Sequence, residues 1–585
     1  MHNLEIIIER IKERHQGDVH QLNAIFSPSK RLLIEAPAGY GKTNTMISKI
    51  AYMIATRKIP TPKKLLALTF SVNAAYKIKR DVTEQVPHLL GTTKEVSISN
   101  KVTVSNYHGF CRGVLKKYGY LLNPNLFNID TFHSIDDSEE QKTQSIIETI
   151  PYEKALLLAQ FNQELKKKNK TYIEENISVY CKIVLEYLTP KNYTTHNSIL
   201  TLTKYLFELH PQVLSFYTKY YSALLVDEFQ DTNILSFEIL NLLITSETQV
   251  VLLGDSLQRI YGFIGAIENI LNISSHKFNM ETIKLEKNYR FSSNQEMLLL
   301  DNIIRENAKK TEKLTTDKEC KIHLKIYPDQ KTEAWNVARF TKQILEKYPN
   351  KKIAILVKQR NKNTNLIIEE LDNQNVPYFY ALFTDSDPDY ILFHNICLEK
   401  FIDIISTRDI ISKRSYLEHI NFVKKSYSPA SPNNYDSMIL LLEAFWLKVF
   451  NEFSSFDNDE KIFYIKDTFE HYGLKQHIGS LNIDTIISTI HGAKGLEWDY
   501  IILPDMEQDS FPNYNGMCSS CNYRTDCNFT IDKENETKFL EELSVFYVAV
   551  TRAKNQVLFT ASKFNYNNIK KNLSCFLKLP GIKYY

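Results

Sequence analysis

Arg31-Leu-Leu-Ile-Glu-Ala-Pro-Ala-Gly-Tyr-Gly-Lys-Thr43 is a short apolar strand, then a glycine-containing loop, then a helix that starts at Lys42. Gly39 and Gly41 let backbone N–H groups turn inward around a triphosphate, and the helix N-terminus adds partial positive charge. Lys42 reaches the outer phosphates and Thr43 offers a hydroxyl to Mg²⁺. In the pattern G-x-x-x-x-G-K-[ST] the first glycine is replaced by Ala36. The loop therefore needs support from the nucleotide's other partners further along the chain.

At 585 residues the chain is too long for one core. With 43% hydrophobic and 24% charged residues its composition is globular. It has no apolar run of about 18 residues. Charged Glu9, Arg10, Lys12 and Glu13 stand where a signal peptide would be apolar, so a cytoplasmic protein with no membrane partner is expected. A net charge of +3 neither demands nor excludes nucleic acid. Eight cysteines in such a chain argue against a disulfide framework, and a cluster among them reads first as metal or redox. Glycine is scarce at 16 residues, so each one is informative. Gly39, Gly41, Gly109, Gly254, Gly262, Gly265, Gly492 and Gly495 fall in stretches where backbone must approach a ligand or take unusual angles.

Residues 3–15 place Leu4, Ile7, Ile8 and Ile11 at helical spacing. Gln21 follows; its amide can read the adenine edge, or it is a plain surface amide. Leu65–Phe70 and Val102–His108 read as strands, and the pattern of strands alternating with helices implies a parallel sheet. Residues 110–215 read as a helical insertion, with Lys166–Lys170 as an exposed charged patch. Ala223-Leu-Leu-Val-Asp-Glu is a buried strand ending in paired carboxylates. Asp227 can hold Mg²⁺ and Glu228 can orient or deprotonate the attacking water; elsewhere such a pair would be solvated loop charges. After the strand Gln249–Gly254, Gln258 can sense a terminal phosphate, while Tyr261 and Phe263 either stack on bases or fill a core under a loop. Arg290 and Arg552 supply guanidinium groups suited to a transferring phosphoryl group.

Taken in order, these stretches resemble the superfamily 1A DNA helicases of the UvrD/Rep/PcrA type. The resemblance runs from Gln21 to about Ala561 through Ala36–Thr43, Thr69–Ala75, Tyr107–Phe110, Val226–Thr232, Gly254–Ala266, Asn288–Arg290, Thr489–Trp498 and Val550–Lys554. It implies an α/β fold of two RecA-like P-loop NTPase cores with parallel sheets, each interrupted by a largely helical insertion. The first core would be 1–109 with 216–287, its insertion 110–215, the second core 288–385 with 485–585, and its reduced insertion 386–484. It also implies ATP with Mg²⁺ between the cores and single-stranded or tailed DNA across them. By motif position, Gln21, Ala36, Pro37, Ala38, Gly39, Tyr40, Gly41, Lys42, Thr43, Asn44, Tyr289 and Glu497 would contact the nucleotide, with Tyr289 stacked on adenine. Lys42, Asp227, Glu228, Gln258 and the arginine fingers Arg290 and Arg552 would carry the catalysis. Thr43 and Asp227 would bind Mg²⁺, and Phe70, Tyr107, His108, Tyr261, Phe263 and His491 would face DNA.

The chain departs from that pattern at Phe263-Ile264 and Val72-Asn73, where the family has Trp-Arg and Asn-Lys. An intact ATPase with an altered grip on DNA is expected. The short second insertion makes translocation a safer expectation than processive unwinding, and no nuclease tail is expected beyond residue 585. Cys518, Cys521 and Cys527 can share one structural metal or remain free thiols. Their spacing is similar to an iron–sulfur staple of some recombination and CRISPR-associated nucleases, with zinc as the other choice. The expected function is an ATP-dependent single-stranded DNA translocase or 3′-to-5′ helicase. The alternative is an ATP-gated DNA-sensing subunit that regulates a partner nuclease in recombination or anti-phage defence.

Overall fold

The computed structural model describes residues 2–91, 98–262, 265–309, 311, 314–408, 410–427, 432–453, 458–521 and 535–585. They fall into two compact units, Met1–Tyr289 and Arg290–Tyr585.

In the first unit the strands are β1 (Arg31–Glu35), β2 (Lys64–Thr69), β3 (Val102–Asn106), β4 (His133–Ile135), β5 (Tyr193–Thr195), β6 (Tyr221–Val226), β7 (Gln249–Gly254) and β8 (Glu281–Lys284). Six of them form one sheet in the order β3-β2-β6-β7-β1-β8, with every neighbouring pair parallel. The apolar runs are continuous because both faces are covered, and successive side chains serve opposite sides. Leu32, Ile34, Leu65, Ala67, Ala223 and Leu225 pack into one core with Ile11, Ile47 and Ile50. Leu33, Leu66, Leu68, Leu224 and Val226 pack into the other, which extends into the inserted helices through Phe161, Tyr180 and Phe207.

The register sets the strand ends side by side: Glu35 of β1 is opposite Gly254 of β7, and Val226 of β6 is opposite Leu252. The loops that follow β1, β2, β6 and β7 therefore leave from one edge of the sheet, the edge where parallel α/β sheets bind ligands.

Between β3 and β6 the chain is mostly helical, but β4 and β5 pair in parallel, His133 opposite Tyr193. That pairing was not expected from the helical pattern; it spans three residues on each side, too short to show a period. Val102–His108 is also shorter as a strand than its sequence suggests. It ends at Asn106, whose side chain accepts from the Gly109 N–H at 2.8 Å and caps the helix Tyr107–Tyr118.

The second unit contains β9 (Cys320–Asp329), β10 (Ile353–Val357), β11 (Phe379–Ala381), β12 (Thr485–Thr489), β13 (Trp498–Leu503), β14 (Ala553–Phe564) and β15 (Ile582–Tyr584). They form a second parallel sheet, ordered β11-β12-β10-β13-β14-β9-β15. The described residues between β11 and β12 include the helices Pro388–Thr407, Lys413–Ser426, Pro432–Asn451 and Asn458–Glu470 and no strand. Phe401, Phe445, Trp446 and Phe469 pack at their centre together with buried His394 and His419. Burial lowers the pKa of these imidazoles, to about 3 for His394 and about 4 for His419, so both are neutral packing groups. No helix among the described residues is long and apolar enough to cross a membrane.

Candidate functional site

In the first unit, the helix Lys42–Ala55 begins directly after a left-handed residue, Gly41, at φ 79°. A side chain there would collide with the Gln21 amide as well as straining the backbone. This turn aims Lys42 at the ends of β6 and β7. Its ammonium forms an ion pair with Glu228 and lies 3.5 Å from Asp227 Oδ1. Burial disfavours the charge on Lys42, but the two carboxylates outweigh it and hold its pKa above the ordinary lysine value. Burial pushes the Asp227 carboxyl up, and its Oδ1 is shielded from solvent with the Lys42 ammonium at 3.5 Å as its charged neighbour and no closer donor. A buried carboxylate oxygen with spare acceptor capacity near the Thr43 end of a phosphate loop fits a Mg²⁺ ligand.

Glu228 adopts φ 51°, an uncommon angle for a residue with a side chain. It is steadied by Gln230, which donates to Glu228 Oε2 while its Oε1 accepts from the Asp255 N–H at 3.1 Å. Asp255 Oδ2 in turn accepts from Gln258 Nε2 at 2.8 Å. Glu228, Gln230, Asp255 and Gln258 thus form one chain of contacts from the candidate base to the candidate phosphate sensor. Gln230 and Asp255 lay inside the quoted motifs but were given no role by the sequence.

Gln21 is buried, and both ends of its amide are engaged: Nε2 donates to the Tyr40 carbonyl at 3.0 Å and Oε1 contacts His15 Nδ1. His15 Nε2 meets Ser48 Oγ at 2.8 Å, which ties the residue to the helix after the phosphate loop. Tyr289 donates its N–H to the Gly39 carbonyl at 2.9 Å and its hydroxyl to Asp18 Oδ2 at 2.6 Å. Asn44 Oδ1 accepts from Arg14 Nε at 2.7 Å. His15, Asp18 and Arg14 escaped the sequence reading because no motif contains them. His15→Leu should raise the KM for ATP about tenfold, since losing one buried hydrogen bond costs about 1–3 kcal/mol, while kcat changes less than twofold. Steady-state ATPase assays check this split; an unchanged KM removes His15 from the binding apparatus.

Among the residues read as DNA contacts, Phe70 and Tyr261 lie together, their rings stacked at 5.3 Å between centroids. His108 stacks on His196 at 3.8 Å. Tyr107 is only 3% exposed and belongs to the core with Phe110 and Leu68, so its ring serves packing here rather than presenting a face. Phe263 lies outside the described residues.

In the second unit Arg290 and Arg552 come from distant positions to one place. Arg290 forms an ion pair with Glu497 and donates to the Thr551 carbonyl. Arg552 donates to the Val548 carbonyl at 3.0 Å, the Leu496 carbonyl at 3.2 Å and the Thr551 hydroxyl at 3.1 Å. The turn after β12 carries the half-buried His491. Cys518 is buried with its thiol on the Pro512 carbonyl at 3.4 Å, Cys521 is half-buried, and Cys527 lies outside the described residues. Cys111, Cys181, Cys320 and Cys397 are buried.

The family model described as the UvrD/REP helicase N-terminal domain matches residues 18–279, and that of the UvrD-like helicase C-terminal domain matches residues 439–563. The chain is 26% identical to DNA helicase II of Rickettsia typhi over 94% of this chain and 93% of that protein. It is 24% identical to the ATP-dependent DNA helicase PcrA of Staphylococcus aureus over 96% of this chain and 86% of the relative. A probable DNA helicase II homolog of Rickettsia felis is 24% identical over 93% of both chains. Both halves of the chain carry a UvrD model on a parallel α/β sheet, and the chain belongs to the UvrD-like helicase family.

Proposed function

We propose that this chain is an ATP-driven motor on single-stranded DNA, translocating or unwinding in the 3′-to-5′ direction in the cytoplasm. The observation that carries the proposal is the meeting of Lys42 with Asp227 and Glu228 at the ligand-binding edge of a parallel sheet. A bound triphosphate competes with Glu228 for the Lys42 ammonium, and taking it leaves Glu228 free to accept a proton from water. The residues that would hold Mg²⁺ are Thr43 and Asp227; the ion supplies charge neutralisation on the phosphates. Gln21 and Tyr289 flank the phosphate loop and suit the base, with Gln258 reporting on the terminal phosphate. Arg290 and Arg552, with Glu497 orienting the first, supply the guanidinium groups that stabilise phosphoryl transfer.

Phe70 and Tyr261 offer stacking faces indifferent to base identity, and His108, Phe263 and His491 are the further DNA candidates, while Tyr107 packs in the core. Phe70→Ala should weaken single-strand affinity by about 1–3 kcal/mol with basal ATP turnover unchanged. Fluorescence anisotropy of labelled oligonucleotides reads this directly, and an unchanged Kd excludes Phe70 from the track. Cys518, Cys521 and Cys527 either share a structural zinc or iron–sulfur group or stay free thiols, which elemental analysis and a visible spectrum decide.

Strand displacement on duplexes with a 3′ or a 5′ single-stranded tail tests the main reading. ATP-dependent unwinding from the 3′ tail by the isolated chain supports it. ATPase stimulated by DNA, with unwinding only after a nuclease partner is added, would favour a regulatory DNA-sensing subunit instead.

A further inference from the structure

A second acidic constellation lies wholly within the Arg290–Tyr585 unit. Glu333 sits on the helix Gln330–Lys347, and Asp505 and Glu507 follow the end of β13. They are 0%, 6% and 1% exposed, and one carboxylate oxygen from each lies within 4.8 Å of the others. Opposite ligand oxygens stand about 4.2 Å apart around Mg²⁺ and about 5 Å apart around Ca²⁺, so the three oxygens can share one ion.

The surroundings are built for these carboxylates but do not neutralise them. Glu333 Oε1 accepts from the Thr560 hydroxyl at 2.5 Å and the Asp505 N–H at 3.2 Å, and Oε2 from Asn363 Nδ2 at 3.2 Å. Asp505 accepts from Asn361 Nδ2 at 2.8 Å, Asn363 Nδ2 at 2.5 Å and Gln330 Nε2 at 3.5 Å. Glu507 Oε1 accepts from the Ser562 hydroxyl at 2.7 Å and from its N–H. Every donor is neutral, and among the described residues no lysine, arginine or histidine pairs with the three acids.

Two acceptors are left over. Glu507 Oε2 and Asn363 Oδ1 are shielded from solvent without a hydrogen-bond partner, on side chains each 1% exposed. Asn363 belongs to a different element, the helix Lys362–Asn373, and its amide already touches both Glu333 and Asp505. Burial pushes all three carboxyls up, so the cluster reaches neutrality by holding protons or a cation; a buried water could serve the two left-over atoms but brings no charge.

We propose that Glu333, Asp505 and Glu507 bind one hard divalent cation of the Mg²⁺, Mn²⁺ or Ca²⁺ class. An all-oxygen set selects such ions over zinc. The ion ties together the segment after β13, the helices Gln330–Lys347 and Lys362–Asn373 and, through Thr560 and Ser562, β14.

The test uses the full chain carrying Asp227→Asn, so that the first unit's expected Mg²⁺ ligand does not contribute. After removal of metals with a chelator, Mn²⁺ binding is followed by electron paramagnetic resonance without nucleotide, and thermal unfolding is recorded with chelator or millimolar Ca²⁺. One Mn²⁺ bound per chain and a higher midpoint with Ca²⁺ are expected, with Mn²⁺ affinity falling roughly 100-fold or more on adding Glu507→Gln. No bound Mn²⁺ and equal midpoints in D227N overturn the proposal without needing the second variant to fold. Equal Mn²⁺ affinity in D227N and D227N/E507Q overturns it too.

Discussion

Glu228→Gln should lower the kcat for ATP by roughly 10²–10⁴-fold, the contribution of a positioned general base, while ATP still binds. The substitution keeps shape and backbone preference, so the left-handed conformation at Glu228 and its contact with Gln230 survive. The side chain loses its charge and with it the ability to accept a proton. Lys42 loses its closest carboxylate but keeps Asp227 at 3.5 Å, so its ammonium remains available to phosphate. KM should therefore stay within about threefold or fall, because Glu228 no longer competes with the nucleotide for Lys42. Single-turnover hydrolysis separates the two effects. A kcat within tenfold of the unmodified chain would mean that water is activated elsewhere.

Arg290→Ala should reduce kcat by roughly 10³-fold or more, the scale of an arginine that stabilises a transferring phosphoryl group. Arg290 also has local duties, since it pairs with Glu497 and donates to the Thr551 carbonyl. A loss of activity could therefore reflect a loosened second unit. Glu497→Gln isolates that component, because it breaks the ion pair and leaves the guanidinium in place. A kcat loss in E497Q far smaller than the roughly 10³-fold loss in R290A assigns the remainder to the guanidinium at the transferring phosphoryl group. Arg290→Lys keeps the charge but not the planar fork, and should recover only a minor part of the rate. If R290A hydrolyses ATP normally, Arg290 has no part in the chemistry and Arg552 stands alone.

The phosphate loop, the paired carboxylates after β6 and the two arginines of the second unit were legible in the sequence because each depends on a short, contiguous pattern. A strand, a turn that needs glycine and a helix start are local events, and Arg31–Thr43 contains all three. The parallel sheets were legible for the same reason: strands buried on both faces are apolar without alternation. Tyr107 shows the limit. Its motif position nominates an exposed contact, yet the helix beginning at that residue turns its ring into the core beside Phe110.

Sequence alone determined that this chain would build parallel α/β cores around a phosphate-binding loop, because backbone sterics and hydrophobic periodicity act over a few residues. Only the tertiary structure could bring His15 and Ser48 to Gln21, join Gln230 to Asp255, and gather Glu333, Asp505 and Glu507. Residues as far apart as 333 and 507 become neighbours through strand order and crossover packing. Nothing in the residues between them records that distance.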